Sequence, residues 1–144
     1  MEEHARERLP HIADFYSQKF AIRLDRGGRQ LWSAPDAILA HGLGEEPRIV
    51  YANAAALKMF RMTARDMIGM PSSQSAEPDK REMRAQMLAQ LEEKDFVSDY
   101  SGVRVAADGT RFQIENAVIF NIRDREGNRL GQAAIIPKWK LLEE

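Results

Sequence analysis

The stretch FVSDYSGVRVAADGTRFQIENAVIFNIRDREGNRLGQAAII, Phe96–Ile136, decides the fold. It reads as three consecutive antiparallel strands, Phe96–Ala107, Thr110–Arg123 and Arg129–Ile136, joined by turns at Asp108-Gly109 and Asp124–Asn128. Asp-Gly between two β-rich runs is a strong hairpin signal, because a type I′ turn needs positive φ at both central residues and these two types tolerate it. A two-residue turn pairs Ala107 with Thr110 and sets Ser101 opposite Asn116; a bulge at the turn slips that register by one. In the first register Phe112, Ile114, Asn116, Val118, Phe120 and Ile122 share a face. Asn116 is the polar exception. A buried amide needs partners, so the Ser101/Asn116 pair is the first candidate ligand contact, the alternative being that the two bond each other or a buried water.

Outward from the meander, Ala37–Ala40 and Arg48–Tyr51 read as a shorter hairpin around a Gly- and Pro-containing loop. Asn53 is a good N-cap for Ala54–Phe60, and Thr63 opens one more helical turn. Asp79 begins a longer helix with Met83, Met87, Leu88 and Leu91 as its apolar stripe. Before the body, Leu9, Ile12, Tyr16 and Phe20 recur at helical spacing, a stripe that packs on its own domain or on the same helix of a second copy. The chain divides into an N-terminal helix and connection (1–31), a main domain (32–137) and a short charged tail (138–144) with Trp139 as a possible anchor.

The 144 residues fit one domain, and 21 Lys and Arg against 22 Asp and Glu leave no basic surface for nucleic acid or anionic membrane. With no cysteine there is no disulfide, thiolate nucleophile or cysteine-held metal. The apolar runs are too short for a membrane span and the acidic start does not read as a signal peptide, so a soluble cytoplasmic protein is expected. No catalytic motif accompanies the serines, no metal site is expected, and the reading is not an enzyme.

The segments Ala34-Pro35…His41-Gly42, Tyr51–Leu57, Ser75-Ala76-Glu77-Pro78, Tyr100–Arg104 and Gly131-Gln132-Ala133-Ala134 resemble the MEKHLA domain, a PAS-related family. The resemblance covers about Trp32 to Ile136, together with the N-terminal helix of the bacterial stand-alone members. It implies an α+β fold, a PAS-like five-stranded antiparallel sheet with helices over one face, here with an N-terminal amphipathic helix. It also implies a sensory or interaction module, without naming a ligand.

In PAS domains generally a ligand lies between the helices and the inner sheet face. On that analogy Asn116, Ser101, Gln132, Ser72 and Asn53 are the candidate ligand-binding residues, Gln132 facing inward or outward according to the loop around Gly127. Light-sensing flavin domains of this class carry Gly-x-Asn-Cys where this chain has Gly69-Met70-Pro71-Ser72, which excludes a covalent flavin adduct. No histidine lies on the Asp79–Glu93 helix, where haem-binding members place the iron ligand, so haem is poorly supported and the cofactor is left unassigned. The opposite face, with Tyr100, Arg104, Glu115 and Ile119, is expected to receive the Leu9/Ile12/Tyr16/Phe20 stripe. The resulting expectation is a sensor binding a small, mostly apolar molecule and signalling in trans through a homodimer or a partner protein. The alternative is a ligand-free dimerisation module with a filled core.

Overall fold

The computed structural model describes residues 8, 10–12, 29–44, 46–75, 81–124 and 126–142. Helix α1 (Arg29–Trp32) leads into the hairpin β1 (Ala37–His41) and β2 (Ile49–Ala52). Then come α2 (Ala54–Phe60), α3 (Ala64–Met67), a 3₁₀ turn (Ser72–Ser75) and α4 (Arg81–Lys94). The chain closes with β3 (Phe96–Val105), β4 (Arg111–Arg123), β5 (Arg129–Ile136) and β6 (Lys138–Leu141). The antiparallel sheet runs β2-β1-β5-β4-β3, with β6 beside β4.

The expected charged tail is thus a sixth strand. Val118 pairs with Ile135 on β5, and Glu115 pairs with Lys138 on β6, so one register carries through both strands. Pro137 interrupts it because proline has no N–H to donate to the ladder. Trp139 then packs, half-buried, against the core beside Ile114.

The β3–β4 register departs from the two-residue expectation. Val105 pairs with Arg111, and the Ala106 N–H donates to the Thr110 carbonyl, so the loop is the three residues Ala107-Asp108-Gly109 with Gly109 at φ +87°. Its tip is tied to α2: the Ala107 N–H bonds the Phe60 carbonyl, and Arg61 pairs with Asp108. Thr110, through its hydroxyl first, and Arg61 together hold the Asp108 carboxyl down to about 2.

A second irregularity matters more. Gly102 pairs with Ile114 and Tyr100 with Ala117, so Glu115 and Asn116 stand against the single residue Ser101. This is a β-bulge, with Asn116 at φ +56°, a region that Asn tolerates better than most side chains. Asp99, also at φ +56°, makes the compensating bulge on β3.

The bulge reverses which side of β4 faces which core. Phe112, Ile114 and Ala117 pack with Met59, Phe60 and Met67 of the short helices. Val118, Phe120 and Ile122 pack on the other face with Ile12, Leu31, Ile38 and Ile135. Ile12 and Leu31 are fully buried, and buried Arg8 donates from Nε and Nη2 to the Leu130 carbonyl at 2.9 and 2.8 Å. The start of the N-terminal stripe therefore packs on its own domain; Leu9, Tyr16 and Phe20 lie outside the described residues.

One polar group in this outer-face core is unsatisfied. Among the described residues the buried Tyr51 hydroxyl has no hydrogen-bond partner, and burial pushes it up to about 12. An unpaired buried hydroxyl costs about 1–3 kcal/mol. Tyr51→Phe keeps the ring and is expected to raise stability by about 1 kcal/mol in urea unfolding; a loss of similar size would mean the hydroxyl is bonded after all.

Candidate functional site

The inner face of the sheet is the one carrying the helices. Helix α2 lies on β1 and β2, α3 on β2, and α4 on β3 and β4. Between them runs the inner side of β5. Ala134 there is only partly buried, as is Leu39 on β1, with which it pairs. Their neighbours on the outer face, Ile38, Ala40, Ala133 and Ile135, are 0–2% exposed. On the inner side Ala37 and Ile136 are buried as well, so these two strands are partly open only at Leu39 and Ala134.

One end of this strip is polar. His41 pairs with Gln132 across β1–β5, and Gln132 pairs with Asn121 across β5–β4. The Gln132 Nε2 donates to Asn121 Oδ1 at 3.4 Å. Asn121 Nδ2 in turn donates to the Leu91 carbonyl at 3.0 Å and to Asp95 Oδ1 at 3.1 Å. Asp95, at the junction of α4 and β3, is gripped by Arg123 at 3.0 Å. The Arg123 bond first, then Asn121, holds its carboxyl below the usual range.

The same end of the strip is held by backbone geometry. Gly131 has φ +154°, and a Cβ there would stand 2.1 Å from the His41 carbonyl oxygen. No side chain fits against that backbone. Gly131→Ala is expected to destabilise the domain by about 3 kcal/mol or more, read as a lowered urea midpoint, because both strain and clash fall on main chain.

Several sequence-predicted positions fall elsewhere. Asn116 is exposed on the bulge, and Ser101, between inward-facing Tyr100 and Gly102, is directed to the outer face; they share no hydrogen bond. The slip in register moved both out of the strip. Asn53 is fully buried and saturated: its Oδ1 accepts from the Ile38 and Ala56 N–H groups, and its Nδ2 donates to the Leu31 and Asp36 carbonyls, all at 2.9–3.0 Å. It is a four-way clamp between α1, β1 and α2, with nothing left for a ligand. Ser72 sits in the 3₁₀ turn, half-buried, its N–H bonded to the Pro47 carbonyl. Gln132 is brought into the strip.

Tyr100 and Ile119, expected on the outer interface, lie on the inner face. Ile119 packs with Leu91 and Val97 beneath α4, and Tyr100 borders both that cluster and the short-helix core. Arg104 and Glu115 form no pair: Arg104 stands over the Tyr100 ring, while Glu115 binds Lys140 at 3.2 Å. Asn121 and Asp95 were missed. The signal was an amide inside Val118–Ile122, but alternation counted without the bulge assigned it to the wrong face.

Asp95 also sets an acid dependence. A carboxylate whose folded-state pKa is depressed adds stability above its unfolded value, near 3.9, and that contribution is lost as pH falls through the folded pKa. Urea unfolding between pH 5 and 2 is expected to be less pH-dependent in Asp95→Asn than in the parent chain; equal slopes would remove Asp95 from this role.

A twisted antiparallel sheet with short helices and one longer helix over a single face is the architecture of PAS domains. A PAS domain from Colwellia psychrerythraea superposes with a TM-score of 0.65 at 17% identity, covering 85% of this chain and 95% of its own. A light-oxygen-voltage domain studied with a flavin analogue matches at TM-score 0.61 and 17% identity, over 81% and 84% of the two chains. The fungal blue-light photoreceptor Vivid, in its light-state dimer, matches at 0.57 and 18%, over 73% and 78%. These likenesses establish the fold alone. The MEKHLA domain family matches residues 13–141, and the chain belongs to that family. No curated protein matches it. Among the described residues no helix is long and apolar enough to cross a membrane, and no cluster of His, Asp and Glu is placed to hold a metal ion.

Proposed function

We propose that the protein is a sensory module that binds a small, mostly apolar molecule on the inner sheet face, in the strip between α2 and α4. The observation that carries this is the contrast between the two sides of β1 and β5. Leu39 and Ala134 are only partly buried where Ile38 and Ala133 are sealed, which supports room for a small molecule over a filled core. Gln132 and Asn121 are the polar anchors at one end of that strip, and binding rather than catalysis is their role.

The output runs through β5. Gln132 lies two residues from Leu130, whose carbonyl holds Arg8 of the N-terminal segment on the outer face. A change in the Gln132 side chain can shift β5 against β1 at the close Gly131–His41 contact and so alter how that segment is held. A second copy of the chain or a separate signalling protein then reads the segment in trans.

Native mass spectrometry with an absorbance scan of the purified protein tests the reading. A bound mass or a chromophore band is expected, and Ala134→Leu, which fills the strip, is expected to abolish retention without unfolding the domain. A clean apo spectrum from a tight dimer, unchanged by Ala134→Leu, would favour the ligand-free dimerisation module instead.

A further inference from the structure

Tyr100, Gly102 and Arg104 alternate along the inner face of β3, opposite Ala117, Ile114 and Phe112. Gly102 has no side chain, and the point where its Cβ would stand lies 3.2 Å from Arg104 Nη1 and 3.3 Å from the Tyr100 hydroxyl oxygen. Two polar tips converge over Gly102, so closely that even a methyl group there would be crowded. The Arg104 guanidinium is held there by the Tyr100 ring, 5.9 Å from its centroid, an arrangement that orients a cation without neutralising it.

Among the described residues neither tip has a charged partner. Arg104 Nη1 donates to the neighbouring Val103 carbonyl at 3.0 Å, and among the described residues no carboxylate pairs with the guanidinium. Glu115, the nearest acidic residue in the adjoining part of β4, is bound to Lys140. Two other arginines near the meander's ends are engaged: Arg61 with Asp108, and Arg123 with Asp95. A half-buried cation and phenol beside an apolar sheet face are partly stripped of water, a cost that an incoming anion offsets.

We propose that Tyr100 and Arg104 form an anion subsite over Gly102 that holds the carboxylate of a small organic acid, whose apolar body lies along the inner face. This rests on the ligand-binding reading above. The guanidinium fork matches a carboxylate edge, and the inner face beyond it, toward the partly buried Ala134, is apolar. One guanidinium and one hydroxyl balance a single negative charge better than the double charge of a phosphate.

The full-length ¹⁵N-labelled protein is titrated with benzoate, benzamide and inorganic phosphate, following the Gly102 and Ala134 amide resonances. Benzoate is expected to shift both, saturably and at least tenfold more tightly than benzamide. Arg104→Gln is expected to abolish that preference while leaving benzamide binding unchanged. Gly102→Ala keeps both donors but occupies the convergence point, and is expected to weaken benzoate severalfold. Equal binding of benzoate and benzamide, or a preference that survives Arg104→Gln, overturns the subsite and leaves the pocket standing. Phosphate matching benzoate at Gly102, with no response at Ala134, means an adventitious ion only and also overturns it. Silence at Ala134 from both benzoate and benzamide overturns the pocket itself.

Discussion

The structure depends on a single extra residue in β4. At Asn116 the strand bulges, and everything beyond it presents the opposite face. Without the bulge, Phe112, Ile114, Val118, Phe120 and Ile122 would crowd one side of the sheet, and the other side would have little to bury. With it, Phe112 and Ile114 serve the short helices, while Val118, Phe120 and Ile122 serve the N-terminal segment. One strand thereby builds two cores on opposite faces. The break also suits the far edge of β4: the carried-through register brings Pro137 level with Asn116, where no ladder bond is required.

The two cores differ in kind. The outer one is sealed down to Ile12, Leu31 and Ile135 at no exposure, and even buries the Tyr51 hydroxyl unpaired. The inner one is tight at α2, where Phe60 meets Phe112 edge to face at 5.3 Å and Asn53 clamps three backbone segments. It is tight again at α4, where Leu91 covers Val97 and Ile119. Between these anchors β5 presents the small, partly buried Ala134. An alanine there leaves room that a larger residue would have filled, so the openness follows from side-chain volume at that position.

Apart from helix α1 and strand β6, which were read as connection and tail, element order and type were legible from the sequence because they depend on local signals: period-two alternation in the meander, Asn53 and Thr63 at helix starts, and glycine-rich loops. Face assignment was not, because it accumulates along a strand. The Asp108-Gly109 turn fits both two- and three-residue loops, and the choice made here depends on contacts from Phe60 and Arg61, 47 residues away in the case of Arg61 and Asp108. Asn116 is polar in an apolar run, which reads equally as a ligand contact or as a residue chosen for positive φ. The first reading follows from the face pattern and the second from the backbone, and only tertiary structure separates them. The same error moved Tyr100 and Ile119 to the wrong face and concealed Asn121. The face of Gln132 depended on the length of the loop around Gly127, and the inward direction follows once its pairing with Asn121 is known.

The polar row at the end of the strip has a direction of its own. The lowered pKa of Asp95 keeps it ionised near neutrality, so it only accepts hydrogen bonds, as does the Leu91 carbonyl. Both acceptors face the same Asn121 nitrogen, which fixes that amide with its NH₂ toward α4 and its oxygen toward β5. The Asn121 oxygen then draws the Gln132 NH₂, and the Gln132 carbonyl oxygen is left as the acceptor not engaged by the row. A salt bridge outside the strip thus sets the hydrogen-bonding sense of an amide inside it. The long 3.4 Å link between the two amides is the weakest step in the series. It is therefore the step at which a ligand offering a donor to Gln132 could rotate the side chain without disturbing Asn121, and that rotation occurs on the strand that carries the Arg8 contact.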